Sequence, residues 1–280
     1  MPIYDAVYRR YQARAPLHAW RFWPVAREAL RQVLLRRMLI LLLVLSWLPL
    51  LYPVGQLFIV ARMPQLAPLL TVDARLLGDF LSVQTYLGLL MLRFGGAGLI
   101  ANDLNSGGML LYLSRAVSRR DYVMGKLAAA LALTLSVTLA PSALLYVLAV
   151  AFLPARFLRW DLVWLAPAVS AQSLLIALVL SVSALVCSCL TRRAAISGIA
   201  FFALLMGLDL AQALLSSSLR LDAAPLLSPL SSLRIVGRAL FGPPSAEPVH
   251  WIWALLALLL FASAALAIVR RRVRSVEVVA

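Results

Sequence analysis

The chain has 280 residues, of which 63% are hydrophobic and 13% charged, and its mean hydropathy is +0.93. A soluble globular domain is nearer half apolar and a quarter charged, so composition excludes that class and predicts an all-α integral membrane protein. The net charge of +15 argues little for nucleic acid, because the basic residues crowd beside apolar runs, where arginine orients spans and meets anionic headgroups.

Residues 1–37 form the first predicted region. The first apolar run begins near Met38, too deep for a cleavable signal peptide, so that run is expected to be a retained span. Ahead of it, Ala26, Ala29, Leu30, Val33 and Leu34 follow the spacing of one helical face, with Arg27, Glu28, Arg31 and Gln32 opposite. A basic amphipathic helix over Ala26–Arg37 is expected to lie in the headgroup layer, as an anchor or as part of a docking site.

Residues 38–280 read as one membrane domain. A span needs roughly 20 apolar residues, and six segments qualify: Met38–Ala61, Phe80–Ala101, Leu127–Leu153, Trp164–Leu190, Ala194–Leu215 and Val249–Val269. Each must be helical, because backbone in hydrocarbon needs internal hydrogen bonds. Pro49, Pro53 and Pro141 are expected to kink their helices. Small residues recur every fourth position at Ala128, Ala132, Ser136 and Ala140, and again at Ser173, Ala177 and Ser181, which predicts close helix seams within or between subunits. The largest outer loop, 216–248, contains an apolar stretch, Leu226–Leu240, that reads as a short helix or hairpin.

Arginine and lysine counts set the orientation. Eighteen basic residues, in the N-terminal region, at Arg115, Arg119, Arg120 and Lys126, at Arg192 and Arg193, and at Arg270, Arg271, Arg272 and Arg274, fall on one side. Seven fall on the other, and Arg93 lies inside a span. The richer side is cytoplasmic by the positive-inside rule, which puts both termini inside. Trp160, Trp164, Trp251 and Trp253 sit near predicted outer boundaries, as interfacial aromatic residues do. Lys126 is the single lysine, which reads as compositional bias toward arginine.

The polar stretch 102–126 between the second and third spans carries more order than a connector needs. Asn105 or Ser106 is placed to cap a helix containing Met109 through Leu113, and Ser118-Arg-Arg-Asp121 fits a capping box with Asp for Glu. Between them sit Arg115, Arg119 and Arg120. This is either an ordinary cytoplasmic turn obeying the positive-inside rule or a docking element, and the apolar face, which would otherwise meet water or headgroups, favours docking to a partner.

Two ionisable residues fall within spans, Asp209 and Arg93. An intramembrane charge is costly and is a functional candidate by default, so both are candidates for a pathway or gate. For Asp209 the alternative is a structural bond to a nearby serine. For Arg93 it is snorkelling to the interface. Catalytic equipment is sparse: His18 lies before the first span and His250 at an outer boundary, no His, Cys and carboxylate cluster suits a metal, and Cys187 and Cys189 read as small buried side chains.

The runs 94–103 (Phe-Gly-Gly-Ala-Gly-Leu-Ile-Ala-Asn-Asp), Gly107 through Leu113-Ser-Arg115, Ser118-Arg119, and 121–126 (Asp-Tyr-Val-Met-Gly-Lys) resemble the permease subunits of type-2 ATP-binding-cassette transporters. The sequence departs from their pattern at Ala116, where proline is usual. The resemblance implies a coupling helix that docks a separate ATPase subunit through Asp103, Gly107, Leu110, Leu111, Leu113, Ser114, Arg115, Ser118, Arg119 and Asp121, helped by Arg27, Glu28 and Arg31. It also implies a second permease subunit, identical or related, a place in the cell (inner, cytoplasmic) membrane, and outward transport. The chain has no phosphate loop of its own, since Arg120 stands where the first glycine before Gly125-Lys126 would be. No cofactor is therefore expected on this chain, and ATP and magnesium are expected on the partner. The rival reading is a non-transporting membrane scaffold or assembly factor that uses the same loop to hold a cytoplasmic partner.

Overall fold

The computed structural model describes residues 22–63, 65, 73–108, 118–153, 163–219, 223–242 and 249–273. Among these residues every regular element is helical. In chain order they are α1 (Phe22–Leu34), α2 (Arg37–Leu45), a 3-10 turn (Leu48–Leu50), α3 (Leu51–Arg62), α4 (Ala74–Phe94), α5 (Ala101–Ser106), α6 (Arg119–Phe152), α7 (Leu165–Leu190), α8 (Ala194–Leu219), a 3-10 turn (Ala224–Leu227), α9 (Pro229–Phe241) and α10 (Trp251–Val273).

Among the described residues, five segments are long and apolar enough to cross a membrane: Arg37–Arg62, Arg119–Phe152, Leu165–Leu190, Ala194–Ser218 and Trp251–Arg272. Helix α4 has 21 residues, about 31 Å at the helical rise, but Asp79, Gln84 and Arg93 make it less apolar than those five. The membrane-protein assignment from composition therefore holds, with five such segments among the described residues where the sequence suggests six.

Helix α7 is the centre. It packs against α4, α6, α8, α9 and α10, and residues along its whole length, from Leu165 to Ser188, are buried. Its small-residue row explains the close approach: Ser173, Ala177 and Ser181 are all at or near zero exposure, and Ser181 Oγ lies 3.4 Å from Thr134 Oγ1 of α6. The matching row on α6 behaves differently. Ala132 and Ala140 are exposed, with Ala128 and Ser136 half-buried, because α6 turns Ala130, Leu133, Thr134, Val137 and Thr138 inward instead. Among the described residues that row forms no seam like the one on α7.

Helix α1 starts four residues before the expected Ala26 and ends at Leu34. Ala26, Ala29 and Val33 are buried as their spacing requires, joined by Val25, while Leu30 is half-buried and Leu34 exposed. The apolar face packs against α6, so much of what the amphipathic pattern reserved for lipid is covered by protein. Arg27 and Arg31 are exposed on the other face, with Glu28 4.0 Å from Arg31.

The expected span Met38–Ala61 is two helices with a break between them. Pro49 occupies the first turn of the 3-10 segment and Pro53 the first turn of α3, positions where a missing N–H leaves no helical bond unmade. The break releases the Ser46 carbonyl, which accepts from Gln84 Nε2 at 3.0 Å. Pro141, by contrast, sits inside a continuous helix.

The second expected span, Phe80–Ala101, is displaced toward its start. Helix α4 begins at Ala74 and stops at Phe94, where Gly95 and Gly96 open a tight turn leading into α5. The later spans match their expected starts at Trp164, Ala194 and Val249 within two residues. Helix α6 is 34 residues long, about 51 Å against a hydrocarbon core of about 30 Å. Its first turns therefore extend beyond an apolar layer.

Helix α9 resolves the choice left open for the outer loop. Ser228 caps it by accepting from Ser231 N–H, and Pro229 fits its first turn. Leu230, Leu233, Ile235 and Val236 are buried.

Candidate functional site

The feet of the 102–126 loop meet in a buried polar cluster. On one side α5 carries Asp103 and ends at Gly107, whose left-handed φ of 69° closes the helix. Asn105 and Ser106 lie in the last turn of α5, with Ser106 Oγ donating to the Asn102 carbonyl. They end one helix, and Gly107 stands between them and the segment they were expected to cap.

On the other side α6 begins with the expected capping box. Ser118 Oγ accepts from Asp121 N–H at 3.2 Å and Asp121 Oδ2 accepts from Ser118 N–H at 3.2 Å. Asp121 is thus used to start α6.

The two feet are then joined. Lys126 Nζ lies 2.7 Å from Asp103 Oδ2, and Tyr122 OH donates to the same oxygen at 2.7 Å. All three side chains are buried, with Lys126 at 2% exposure and Tyr122 at 0%. Tyr122 and Lys126 fall one turn apart on α6, so one helical face presents both to α5. A buried charge needs this kind of partner and hydrogen-bond set.

Gly125 sits between them in sequence and lets α1 approach. A Cβ there would meet Val25 Cβ at 2.7 Å and the Phe22 carbonyl at 2.8 Å. The Gly125-Lys126 pair thus serves two seams, one with α1 and one with α5. The turn before α5 is held from a third direction. Ser188 Oγ on α7 accepts the N–H groups of both Ile100 and Ala101 at 2.9 Å.

Of the residues expected at this site, Asp103, Gly107, Ser118, Arg119 and Asp121 are placed as described. Leu110, Leu111, Leu113, Ser114 and Arg115 lie outside the described residues. Tyr122 and Lys126 are site residues that spacing did not single out. The available signal was Lys126 itself, the one lysine among 26 basic residues.

The two charges expected within spans, Asp209 and Arg93, are both engaged. Asp209 Oδ1 accepts from Ser228 Oγ, Ser231 Oγ and Arg234 Nη2, each at 2.9 Å. Gln212 Oε1 lies 2.8 Å from Ser231 Oγ. Asp209 is therefore the seat of α9 on α8. Arg93 places its guanidinium over the rings of Phe94 and Phe202, at 5.1 and 5.3 Å. A Cβ on Gly198 would meet the Arg93 carbonyl at 2.6 Å, so α8 crosses close to the end of α4.

Cys187 and Cys189 are free thiols on α7, the first buried and the second half-buried. No group of three or more His, Cys, Asp or Glu is gathered among the described residues. No family model matches the chain, and no curated protein matches it.

Proposed function

We propose that the chain is the membrane-spanning permease subunit of an ATP-binding-cassette transporter, driven by a separate ATPase subunit docked on the 102–126 loop. The observation that best supports this reading is the bracing of both loop feet. Asp103, Tyr122 and Lys126 tie α5 to α6 in a buried, hydrogen-bonded cluster. A loop on frayed feet would absorb a push. A loop on clamped feet passes it to α6, which continues without interruption for 34 residues and packs against α1, α4 and α7. The motif resemblance across 94–126 supplies the identity of the pusher.

In this reading α4 serves as the sixth span, both termini face the cytoplasm, and α1 lies at the cytoplasmic headgroup layer with Arg27, Glu28 and Arg31 turned outward. The exposed small-residue row on α6, Ala132 and Ala140 with Ala128 and Ser136, is available to a second permease subunit. Asp209 and Arg93 are gate positions, since each ties α8 to a neighbour, through Arg234 to α9 and through Phe202 to α4. ATP and magnesium belong to the partner. Outward transport across the inner membrane follows from the resemblance alone.

The test is affinity purification of the tagged chain from mild detergent beside an Arg115→Glu, Leu111→Asp variant. The expected outcome is co-purification of a phosphate-loop ATPase that the variant loses. A well-folded chain that never brings an ATPase overturns the transporter reading and leaves the scaffold one.

A further inference from the structure

We propose that the cleft between the start of α6 and the end of α10 binds the headgroup of an anionic phospholipid. The cleft has a volume of about 600 Å³ and is lined by Arg119, Arg120, Arg270 and Arg271 around Val123, Met124 and Leu266. That volume lies within the range of about 300–1,000 Å³ usual for small-molecule sites.

Three features select this occupant. Arg120, Arg270 and Arg271 are exposed and Arg119 half-buried, and guanidinium groups bind phosphate through paired N–H donors. Among the described residues the lining holds no carboxylate, and the nearest one in sequence, Asp121, is turned back onto Ser118 N–H and Oγ. Met124 is 47% exposed, and with Leu266 and Val123 it gives the cleft an apolar floor. A free phosphate gains nothing from such a floor, whereas a phospholipid offers glycerol and acyl carbons to it. The position agrees, because both helices are long and apolar enough to cross a membrane and the cleft lies at an end of each. Basic pockets between span ends are where anionic headgroups bind. This inference rests on the membrane placement and not on the transporter reading.

The experiment uses the purified full chain in a neutral detergent, titrated with phosphatidylglycerol, phosphatidylcholine or sodium phosphate while its thermal unfolding is followed. Phosphatidylglycerol is expected to raise the melting temperature and the other two to leave it unchanged. An Arg120→Gln, Arg271→Gln double variant is expected to weaken the apparent affinity roughly thirtyfold, the loss expected for two headgroup-facing arginines. An Arg36→Gln, Arg37→Gln control removes the same charge from exposed positions outside the cleft and is expected to behave as wild type. Met124→Trp, which fills the floor and keeps every arginine, is expected to weaken binding too and keeps the test valid if the double variant does not fold. The proposal is overturned if sodium phosphate stabilises as much as phosphatidylglycerol, which marks a soluble-anion site. It is equally overturned if phosphatidylcholine does so, if the control loses as much as the cleft variant, or if Met124→Trp binds like wild type.

Discussion

Lys126 Nζ and Asp103 Oδ2 stand 2.7 Å apart with 3% and 12% of their side chains exposed, and between them they join α5 to the start of α6. A charge pair this buried is a commitment: removing one partner strands the other. It fixes where the two ends of the loop stand relative to each other whatever the loop itself does.

Replacing one partner alone is therefore expected to be severe. Asp103→Asn or Lys126→Met should each cost about 3–5 kcal/mol, the loss typical when one half of a buried pair is left uncompensated. The double variant should be more stable than the sum of the two losses by about 0.5–3 kcal/mol, the range of coupling between contacting residues. Lys126→Arg should also destabilise, because a planar fork does not replace a compact ammonium beside Tyr122. Thermal unfolding of the four proteins in detergent measures the cycle. Additive losses would mean that the pair does not hold the loop feet together.

Gly125 makes a second expectation about the same region. Gly125→Val places atoms where Val25 and the Phe22 carbonyl already stand, and overpacking of that kind costs about 1–3 kcal/mol. Gly207→Ala on α8 is the contrast, since nothing lies within 4 Å of a Cβ there and alanine is favoured over glycine in a helix by about 0.5–1 kcal/mol. Melting curves should move in opposite directions. A neutral Gly125→Val would mean that α1 is free to lift from α6.

Asp209 and Arg234 meet at 2.9 Å, with Arg234 partly exposed, so the bond is expected to position α9 more than to stabilise the whole chain. Leu233→Cys, at a position 1% exposed, reports this when Cys187 and Cys189 are replaced by alanine. Maleimide should label it slowly in that background and much faster when Asp209→Ala or Arg234→Ala is added. Asp209→Asn keeps an acceptor for Ser228 and Ser231 and should label at an intermediate rate. Equal rates in all four would remove the pair from the seating of α9.

What the sequence could announce here was local. The inward face of α1 at Ala26, Ala29 and Val33, the capping box at Ser118 and Asp121, and the starts of α7, α8 and α10 all follow from spacing within a few turns. Pro49 announced a kink at 46–50 but not a full break, because Leu, Trp and Pro there are as apolar as their neighbours, and Gln84 from a distant helix discloses that a carbonyl has been freed. Asp103 with Lys126, and Asp209 with Arg234, are pairings between helices. Each required the chain to fold back before opposite charges in apolar surroundings could find each other. The rows of small residues looked alike in sequence, yet one is buried on α7 and the other faces outward on α6, because packing partners decide which side of a helix is inside.

Ser188 ties the candidate site to the centre of the bundle, and its removal is the most direct probe of that link. Its Oγ accepts two backbone N–H groups, from Ile100 and Ala101, at residues fully buried from solvent. Ser188→Ala leaves both donors without that acceptor, at about 1–3 kcal/mol for each buried group left unsatisfied. Ser183→Ala is the matched control, since Ser183 Oγ donates only to the Val179 carbonyl of its own helix at 2.6 Å and should cost well under half as much. Hydrogen exchange separates a local from a global effect. Ser188→Ala should raise exchange at Ile100, Ala101 and the α5 amides more than at the α7 amides, while Ser183→Ala should leave that pattern unchanged. Uniform acceleration across α4 to α7 would mean that Ser188 supports the bundle as a whole and does not specifically hold the turn that carries Asp103.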